Sequence, residues 1–364
     1  MSVQRTPRHG AERTNPLAER LFRDALGMFD LLTMYLGVRL GLYESLAESG
    51  WTTSTELAER TGTFERYVRE WLEQQTVSGI LEVEDPEAEA LARRYRVPPA
   101  HVEVLVDTGS LNYEAYKSIE LVRGARPLPQ LVEAFRTGAG LPPLPWEPEG
   151  RAEFNRARFV NLLGKVWLPL VPDLDARLRS DPSARVADLG CGTGWASVAA
   201  AVAYPKITVD GFDLDQAAVN RARENADSAG VADRVSFFVQ DVAELEGAAV
   251  YDLVIILEAL HDMARPVDAL RIARSLLAGG GSVVVADELV GDRFAVSVSD
   301  QERYMFGWSV VGCLPEAMGE PGSAGTGAVM RPDTVRRYAD EAGFGRFEIL
   351  PIETNFWRFY RLRS

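Results

Sequence analysis

Three glycines near the middle of the chain follow the short apolar segment Arg185–Leu189 and precede a helical pattern. Glycine adopts positive φ angles without strain and lets a ligand approach the backbone closely. A turn of this kind at the carboxyl end of a strand is a common ligand site in α/β proteins. We therefore expect a ligand-binding turn formed by Gly190, Cys191, Gly192 and Gly194, in which Cys191 is a small packing residue.

The charge beside this turn restricts the class of ligand. Asp188 precedes the glycines, and Trp195 stands where a dinucleotide-binding fingerprint needs its third glycine. A carboxylate repels a pyrophosphate and attracts a cation. S-adenosylmethionine carries an ammonium and a sulfonium group, so it suits this turn better than a nicotinamide cofactor. No Gly-Lys-Ser or Gly-Lys-Thr follows the glycines, which argues against a P-loop.

Further acids follow the next three predicted strands. Asp213 comes about 20 residues after the glycines, the spacing at which an acid binds the ribose hydroxyls of a nucleotide. Its neighbour Leu214 belongs to the same predicted contact. We expect Asp241 to accept a hydrogen bond from the adenine amino group and Val242 to lie against the ring. Glu258 follows the fourth strand, and we expect it at the same edge of the sheet.

His261 is the predicted general base. The other two histidines, His9 and His101, lie outside the part of the chain that carries the glycine turn. An ordinary pKa of about 6.5 suits proton removal near neutral pH. Glu258 is an alternative base, and a structural histidine near Asp262 is the alternative role for His261. The spacing of His, Cys and Asp residues shows no ligand cluster, so no metal is predicted.

Strands and helices alternate from about residue 185 onwards. This order predicts an α/β fold with a Rossmann-like, doubly wound, mostly parallel sheet of seven strands. Gly279–Gly281 is expected to form a turn before the fifth strand. The predicted strands include Arg185–Leu189, Ile207–Phe212, Val235–Val239, Tyr251–Leu257, Ser282–Ala286 and an antiparallel strand near Trp357–Leu362.

The amino-terminal part predicts a helical winged-helix domain. Apolar residues recur at helical spacing over Leu21–Leu46, and Thr53 with Glu56 predicts a capping box at the start of the next helix. Ile80–Val83 and Tyr95–Val97 are typical of a two-stranded hairpin, the wing of such a domain.

A winged helix raises the alternative of a DNA-binding regulator that responds to S-adenosylmethionine or another metabolite. Residues 51–110 carry twelve acidic and six basic side chains, and the whole chain has a net charge of −14. This balance disfavours nucleic acid and anionic membranes as partners. We expect the domain to mediate homodimerisation instead.

Several motifs together resemble a known family. The segments VADLGCGTG, GFDLD, VQDV and YDLVIILEALHDM occur in the order and spacing of the class I S-adenosylmethionine-dependent methyltransferases, over residues 184–288. Residues 21–110 resemble the winged-helix dimerisation domain of a bacterial family of small-molecule methyltransferases. The resemblance implies a homodimer that converts S-adenosyl-L-methionine to S-adenosyl-L-homocysteine, with an acidic cofactor site. The residues implied in that site are Asp188, Gly190, Asp213, Asp241 and Glu258.

The predicted organisation has four parts. Residues 1–16 are a disordered tail, 17–110 the winged-helix domain, 111–180 a helical connector to the substrate pocket, and 181–364 the catalytic domain. Residues 289–330 are an insertion expected to form a lid. Aromatic side chains of the connector and lid predict a flat or hydrophobic substrate. The predicted substrate-binding residues are Tyr113, Tyr116, Trp146, Tyr304, Trp308 and Cys313.

The sequence therefore predicts an enzyme that transfers a methyl group by SN2 attack from the cofactor sulfonium to an oxygen, nitrogen or carbon of a small molecule. A methyltransferase fold that performs other chemistry stays an alternative, because the same cofactor turn serves both. Two cysteines provide no disulfide framework, and no long apolar run or secretory signal is present. We expect a cytoplasmic protein without a membrane partner.

Overall fold

The computed structural model describes residues 15–142, 151–245 and 249–364 of the chain. The chain divides into two units, Met1–Val122 and Arg123–Ser364. The predicted tail of residues 1–16 lies outside the described residues except for its last two. Asn15 caps the first helix through a hydrogen bond from the Leu17 amide at 2.9 Å, and Pro16 begins that helix.

The first unit is a helical domain with a small wing. Its three-stranded antiparallel sheet has the order β1-β3-β2. The predicted capping box is confirmed, because the Thr53 and Glu56 side chains each bond to the other residue's backbone amide. The helices are α1 (Pro16–Arg39), α2 (Leu42–Ser49), α3 (Ser54–Thr61), α4 (Glu65–Val77), α5 (Pro99–Leu105) and α6 (Tyr116–Ala125), which runs into the second unit; the strands are β1 (Thr52–Thr53), β2 (Glu82–Val83) and β3 (Arg94–Arg96).

The second unit contains the predicted seven-stranded sheet. Its order is β6-β5-β4-β7-β8-β10-β9, and β10 runs antiparallel to both of its neighbours. Apolar residues of β4, β7 and β8 are buried because helices cover both faces of a doubly wound sheet. The strands are β4 (Arg185–Leu189), β5 (Thr208–Asp213), β6 (Val235–Val239), β7 (Tyr251–Leu257), β8 (Leu277–Glu288), β9 (Arg346–Ile349) and β10 (Trp357–Arg363).

One sequence prediction about this sheet is wrong. Gly279–Gly281 does not form a turn before the fifth strand but lies within β8. The pairing of β8 with β7 shifts in register between Tyr251 and Leu253, and Gly280 has a φ of 86°. The glycines therefore accommodate an irregularity inside a strand that is longer than its apolar core suggests.

Helices and two π-helical segments complete the second unit. The π-helical segments are Phe159–Trp167 and Ser309–Cys313, and such segments are frequent near functional sites. The α-helices are α7 (Leu128–Thr137), α8 (Arg151–Arg158), α9 (Pro172–Arg179), α10 (Trp195–Ala203), α11 (Gln216–Ser228), α12 (Pro266–Leu276), α13 (Asp300–Trp308), α14 (Leu314–Ala317) and α15 (Pro332–Glu341); short 3₁₀ helices span Leu168–Leu170 and Val242–Glu244.

No single helix in the described ranges is long and apolar enough to cross a membrane. The helices α1 and α2 meet that test only when they are taken together, and the chain bends by 71° between them.

The strand order defines where a ligand can enter. From β4 the chain proceeds through β5 and β6 on one side, whereas β7 and β8 lie on the other side. Ligands of open α/β sheets bind at the carboxyl ends of the strands beside such a switch point. The loops after β4, β5, β6 and β7 meet at this edge and carry the predicted site residues.

Candidate active site

The glycine turn after β4 is held close to the neighbouring strand. The amides of Gly190 and Cys191 donate to the Phe212 carbonyl at 2.8 and 3.1 Å. Gly194 has a φ of 77°, and a Cβ atom there would lie 2.5 Å from Phe237 Cζ. Only glycine fits at this position, which lets α10 begin directly behind the turn.

Cys191 packs inside the turn. Its side chain is buried, and a Cβ atom on Gly211 would approach Cys191 Sγ to 3.1 Å. Burial, with the nearby carboxylates of Asp188 and Asp213, raises the pKa of the thiol well above its ordinary value. The thiol therefore stays protonated and is no nucleophile.

Asp188 is a fully buried carboxyl group beneath the turn. Its Oδ2 accepts a hydrogen bond from Ser197 Oγ at 2.6 Å. Burial raises its pKa to about 7, although the hydrogen bond from Ser197 opposes this shift. A positively charged ligand nearby would favour the ionised form, so this site is suited to a cation.

Asp213 joins the turn to the end of β5. Its Oδ2 accepts from the Gly192 amide at 2.8 Å, and its Oδ1 accepts from the Asp215 amide at 2.9 Å. Burial raises the pKa of Asp213 despite these bonds. Each carboxylate oxygen retains a lone pair, so Asp213 can still accept hydrogen bonds from two hydroxyls.

Two cavities meet at the edge of the sheet. The larger has a volume of about 320 Å³ and is lined by residues at the carboxyl ends of β5, β6 and β7 and by Glu320 of the insertion. The smaller has a volume of about 200 Å³ and contains the glycine turn, Trp195 and Phe159 of the π-helical segment. Both are lined by Gly190, Glu258 and Asp262. The predicted cofactor residues that line the larger cavity are Gly190, Asp213, Leu214, Asp241, Val242 and Glu258.

Asp241 has a local partner that the sequence did not indicate. Its Oδ1 accepts from the Ala243 amide at 2.8 Å and so caps a short 3₁₀ helix, while its Oδ2 lies 3.0 Å from Arg265. Arg265 also lines the larger cavity. The acid still faces the ligand space, with part of its charge balanced by this guanidinium.

Glu258 has an uncommon backbone conformation. It is the one described non-glycine residue with a positive φ, 57°, and its amide donates to the Ala286 carbonyl at 2.7 Å. Side chains other than glycine adopt this region only at a cost, and such residues cluster at functional sites. The conformation places Glu258 on both cavities.

His261 forms a buried pair with Asp287, a residue that the sequence reasoning missed. Its Nδ1 lies 2.8 Å from Asp287 Oδ1, and its Nε2 lies 3.1 Å from Asp262 Oδ1. Burial lowers the pKa of His261, but the two carboxylates outweigh it and hold the pKa well above 6.5. Asp287 lies near the carboxyl end of β8, beside β7, which is the signal that could have identified it.

The predicted substrate residues divide into four groups. Tyr113 and Tyr116 belong to the first unit, and Trp146 lies outside the described residues. Tyr304 and Trp308 contact each other edge to face at 6.2 Å on α13, and neither lines the two cavities described above. Cys313 lies beside His261, where the acceptor is expected.

The insertion at residues 289–330 is tied to the rest of its unit by backbone hydrogen bonds. The Ala324 amide donates to the Ala264 carbonyl at 2.8 Å, and the Leu141 amide donates to the Pro315 carbonyl at 2.8 Å. The first of these bonds joins the insertion to a loop that lines the larger cavity. Glu320 lines the same cavity, so the insertion borders the ligand space.

The sheet order, the glycine turn and the acids at successive strand ends together define the class I fold of S-adenosylmethionine-dependent methyltransferases. Residues 180–342 match the family model described as a methyltransferase domain, and residues 15–107 match an Rv2258c-like winged HTH domain. The chain therefore carries a methyltransferase domain over residues 180–342, preceded by a winged-helix domain.

Two curated proteins are similar to this chain. A 27-O-demethylrifamycin SV methyltransferase of Amycolatopsis mediterranei is 35% identical over 120 residues, which cover 33% of this chain and 44% of the relative. A mitomycin biosynthesis 6-O-methyltransferase of Streptomyces lavendulae is 27% identical over 321 residues, which cover 82% of this chain and 85% of the relative. The chain thus spans less than half of the first relative and most of the second.

A solved structure extends the likeness to nearly the whole fold. Human N-acetylserotonin methyltransferase in complex with S-adenosylmethionine superimposes with a TM-score of 0.67 and 19% identity, over 98% of this chain and 99% of that chain. This identity supports the fold alone.

Proposed function

We propose that the protein transfers a methyl group from S-adenosylmethionine to a hydroxyl oxygen of a small, aromatic or hydrophobic metabolite. The observation that carries this proposal is the buried His261–Asp287 pair near two adjacent cavities at the carboxyl edge of the sheet. The relatives named above are O-methyltransferases of the rifamycin and mitomycin series, which supports oxygen as the acceptor atom.

The two cavities fit the two halves of the cofactor. Asp213, with Asp241 and Val242, offers a ribose and adenine site in the larger cavity, and the glycine turn offers a site for the methionine part in the smaller one. The cofactor supplies an activated methyl group on its sulfonium. Asp188 and Glu258 lie near the expected positive charges and favour them electrostatically.

His261 in its neutral form then removes the acceptor proton at Nε2. Movement of Asp262 away from Nε2 removes one of the two carboxylates that hold the pKa of the ring above 6.5. Asp287 binds Nδ1 and holds the ring in one orientation, as a carboxylate does for a catalytic histidine. Asp262 lies 3.1 Å from Nε2 and lines both cavities, so its side chain must turn aside for an acceptor to reach Nε2 from them. Much of the rate acceleration comes from alignment of donor and acceptor in a site that excludes water.

The winged-helix unit has features of an interface more than of a DNA reader. On α4, Arg66 is paired with Glu70 at 2.5 Å and Arg69 with Glu65 at 3.2 Å, so these cations are balanced before any phosphate approaches. Along α1, large apolar side chains are exposed, and contiguous apolar surface of this kind marks protein interfaces. They include Leu21, Phe22, Leu26, Met28, Phe29, Leu32 and Leu36. A second copy of this chain is the proposed partner.

Methyl transfer can be tested with methyl-labelled S-adenosylmethionine and a panel of hydroxylated aromatic compounds. Label should move to an acceptor oxygen, and His261→Asn should lower kcat by roughly 10²-fold or more while cofactor affinity is kept. His101→Asn in the first unit is the matched control, since its ring contacts the Ile80 carbonyl. Full activity of His261→Asn would show that His261 is not the base and would favour a structural role for it. Cofactor consumption without a methylated product would favour the non-methylating alternative.

A further inference from the structure

The fold brings together three potential metal ligands that are distant in sequence. An Nε2 or Nδ1 of His261, a carboxylate oxygen of Asp262 and Sγ of Cys313 lie within 4.8 Å of one another. Sequence spacing of His, Cys and Asp residues predicts no metal, and these three residues come together only in the fold, where the π-helical segment Ser309–Cys313 brings the thiol to the loop after β7. Nitrogen, oxygen and sulfur ligands in one group are the set that Zn²⁺ prefers.

We propose that His261 Nε2, Asp262 Oδ1 and Cys313 Sγ form a binding site for a borderline-soft divalent cation, represented by Zn²⁺. The histidine supplies the strongest support beyond proximity. Its side chain is completely buried, and Nε2 has no hydrogen-bond partner of good geometry although it lies 3.1 Å from the Asp262 carboxylate. A buried ring nitrogen without such a partner is costly, and a metal ion would satisfy it.

The other nitrogen of the same ring is already arranged as in metal sites. Asp287 is buried and contacts Nδ1 at 2.8 Å. Metal-binding histidines usually donate their second N–H to a carboxylate, which fixes the tautomer and leaves the lone pair on the metal side. In this protein that arrangement leaves the lone pair on Nε2, the ring atom that lies 3.1 Å from Asp262 Oδ1.

Charge and access also suit a divalent cation. The Asp262 carboxylate and a Cys313 thiolate, formed when the metal displaces the thiol proton, together balance two positive charges. Cys313 is buried, whereas the Asp262 side chain is 49% exposed and lines both cavities. A metal ion can therefore enter past Asp262 and reach the buried histidine and thiol.

The three ligand atoms need to move only a short distance to coordinate a metal ion. Tetrahedral Zn²⁺ with bond lengths of about 2.0 to 2.3 Å holds its ligand atoms about 3.4 to 3.6 Å apart. The three atoms lie within 4.8 Å of one another, so each pair must approach by at most about 1.4 Å when the metal binds. Three protein ligands leave one coordination position open to water or to an acceptor oxygen.

Zn²⁺ at this site would inhibit methyl transfer, a consequence that rests on the proposed function of His261. The metal takes the Nε2 lone pair that would otherwise receive the acceptor proton. Metal binding itself does not depend on that function, so the two ideas can fail separately.

The test uses the full-length, untagged protein after treatment with a chelator and gel filtration. Titration with Co²⁺ should give one equivalent per chain and the near-ultraviolet absorption band of a thiolate bound to Co²⁺; Zn²⁺ should then displace it. Cys313→Ser should abolish the band, and Asp262→Asn should weaken binding at least 10-fold. Asp287→Asn should weaken it by about 10- to 100-fold, as loss of a supporting carboxylate does. Cys191→Ser is the matched control and should keep the band.

A band that survives in Cys313→Ser or disappears in Cys191→Ser would overturn the proposal, as would the absence of any saturable binding. Circular dichroism of each variant identifies a loss of binding that is due to misfolding. Inhibition by Zn²⁺ is then measured with wild-type protein and an identified acceptor. Binding without inhibition would keep the site and remove the base role of His261.

Discussion

Buried carboxyl groups set the chemistry of this site at the scale of single residues. Asp188 and Asp213 both have raised pKa values because burial disfavours their charged forms. Such groups are unfavourable for the empty protein and favourable once a cation arrives. The glycine turn and its acids are thus prepared for the sulfonium and ammonium groups of the cofactor.

The raised pKa of Asp188 makes the affinity for the cofactor depend on pH. The pKa of Asp188 is about 7 without ligand, and a nearby positive charge lowers it, so binding releases a proton from this group. Affinity for S-adenosylmethionine should increase as the pH rises through about 7 and then level off. Calorimetry at pH 6 and pH 8, in buffers of different ionisation enthalpy, measures both the affinity and the proton release. Asp188→Asn should reduce the released proton count; an unchanged count would remove Asp188 from this role.

Local sequence patterns were sufficient for some site residues and insufficient for others. The glycine turn and the acids after β4, β5 and β6 could be predicted because each is set by neighbours in the chain. The strand pattern could have placed Asp287 at this edge of the sheet, but its contact with His261 depends on the parallel register of β7 with β8, in which Leu257 pairs with Ala286. Cys313 lies near His261 although part of a long insertion separates it from β8. The spacing of these two residues in the sequence does not predict this proximity.

At the scale of elements, the strand–turn–helix unit of β4, the glycine turn and α10 contributes both to the stability of the fold and to cofactor binding. Two of its glycines have different surroundings. A Cβ atom at Gly194 would meet Phe237 and Ala222 at 2.5 and 2.8 Å, whereas a Cβ atom at Gly192 would meet no protein atom within 4 Å. Gly194 therefore packs the turn against the sheet, and Gly192 faces the smaller cavity.

Alanine at these two positions should separate the two roles. Gly194→Ala should lower the free energy of unfolding by about 2–5 kcal/mol, because strain at positive φ adds to overpacking. Gly192→Ala should cost only about 1–2 kcal/mol, from its φ of 51°, but should weaken cofactor binding. Urea unfolding followed by tryptophan fluorescence, together with cofactor titration, checks both. Equal losses of stability would contradict this division of roles.

The sheet order was also predictable at this scale, because alternating strands and helices leave few topologies. The conformation of the glycines inside β8 was not predictable in this way. Three consecutive glycines favour a turn in isolation, yet they lie within β8, between Leu277 and Ser282, which pair with Tyr251 and Leu253 of β7. Long-range pairing on both sides of the glycines therefore sets the bounds of this strand, against the local preference for a turn.

At the scale of the whole molecule, the main feature is the exposed apolar surface of α1. Its exposed apolar residues Phe22 and Phe29 are 67% and 63% accessible. A proposed homodimer would cover them and remove apolar area from water. The amino-terminal unit would then serve assembly, and the second unit would carry the chemistry.

Size-exclusion chromatography with light scattering tests this assembly. The wild-type protein should have the mass of a dimer, and the double variant Phe22→Glu/Phe29→Glu should have the mass of a folded monomer, because buried unpaired charges oppose the interface. Phe135→Glu, at an exposed apolar position on α7, is the matched control and should stay dimeric. A monomeric wild-type protein would exclude the proposed dimer.

The most direct test of the central claim is isothermal titration of the purified protein with S-adenosylmethionine and S-adenosylhomocysteine. Asp213→Asn and a non-specific DNA duplex serve as comparisons, and Asp210→Asn, on the same strand but paired with Arg185, is the matched control. One cofactor per chain should bind at micromolar affinity, several-fold more weakly in Asp213→Asn and unchanged in Asp210→Asn, with no binding of DNA. A folded protein that binds neither cofactor but binds DNA tightly would contradict the account and make the glycine turn part of a scaffold.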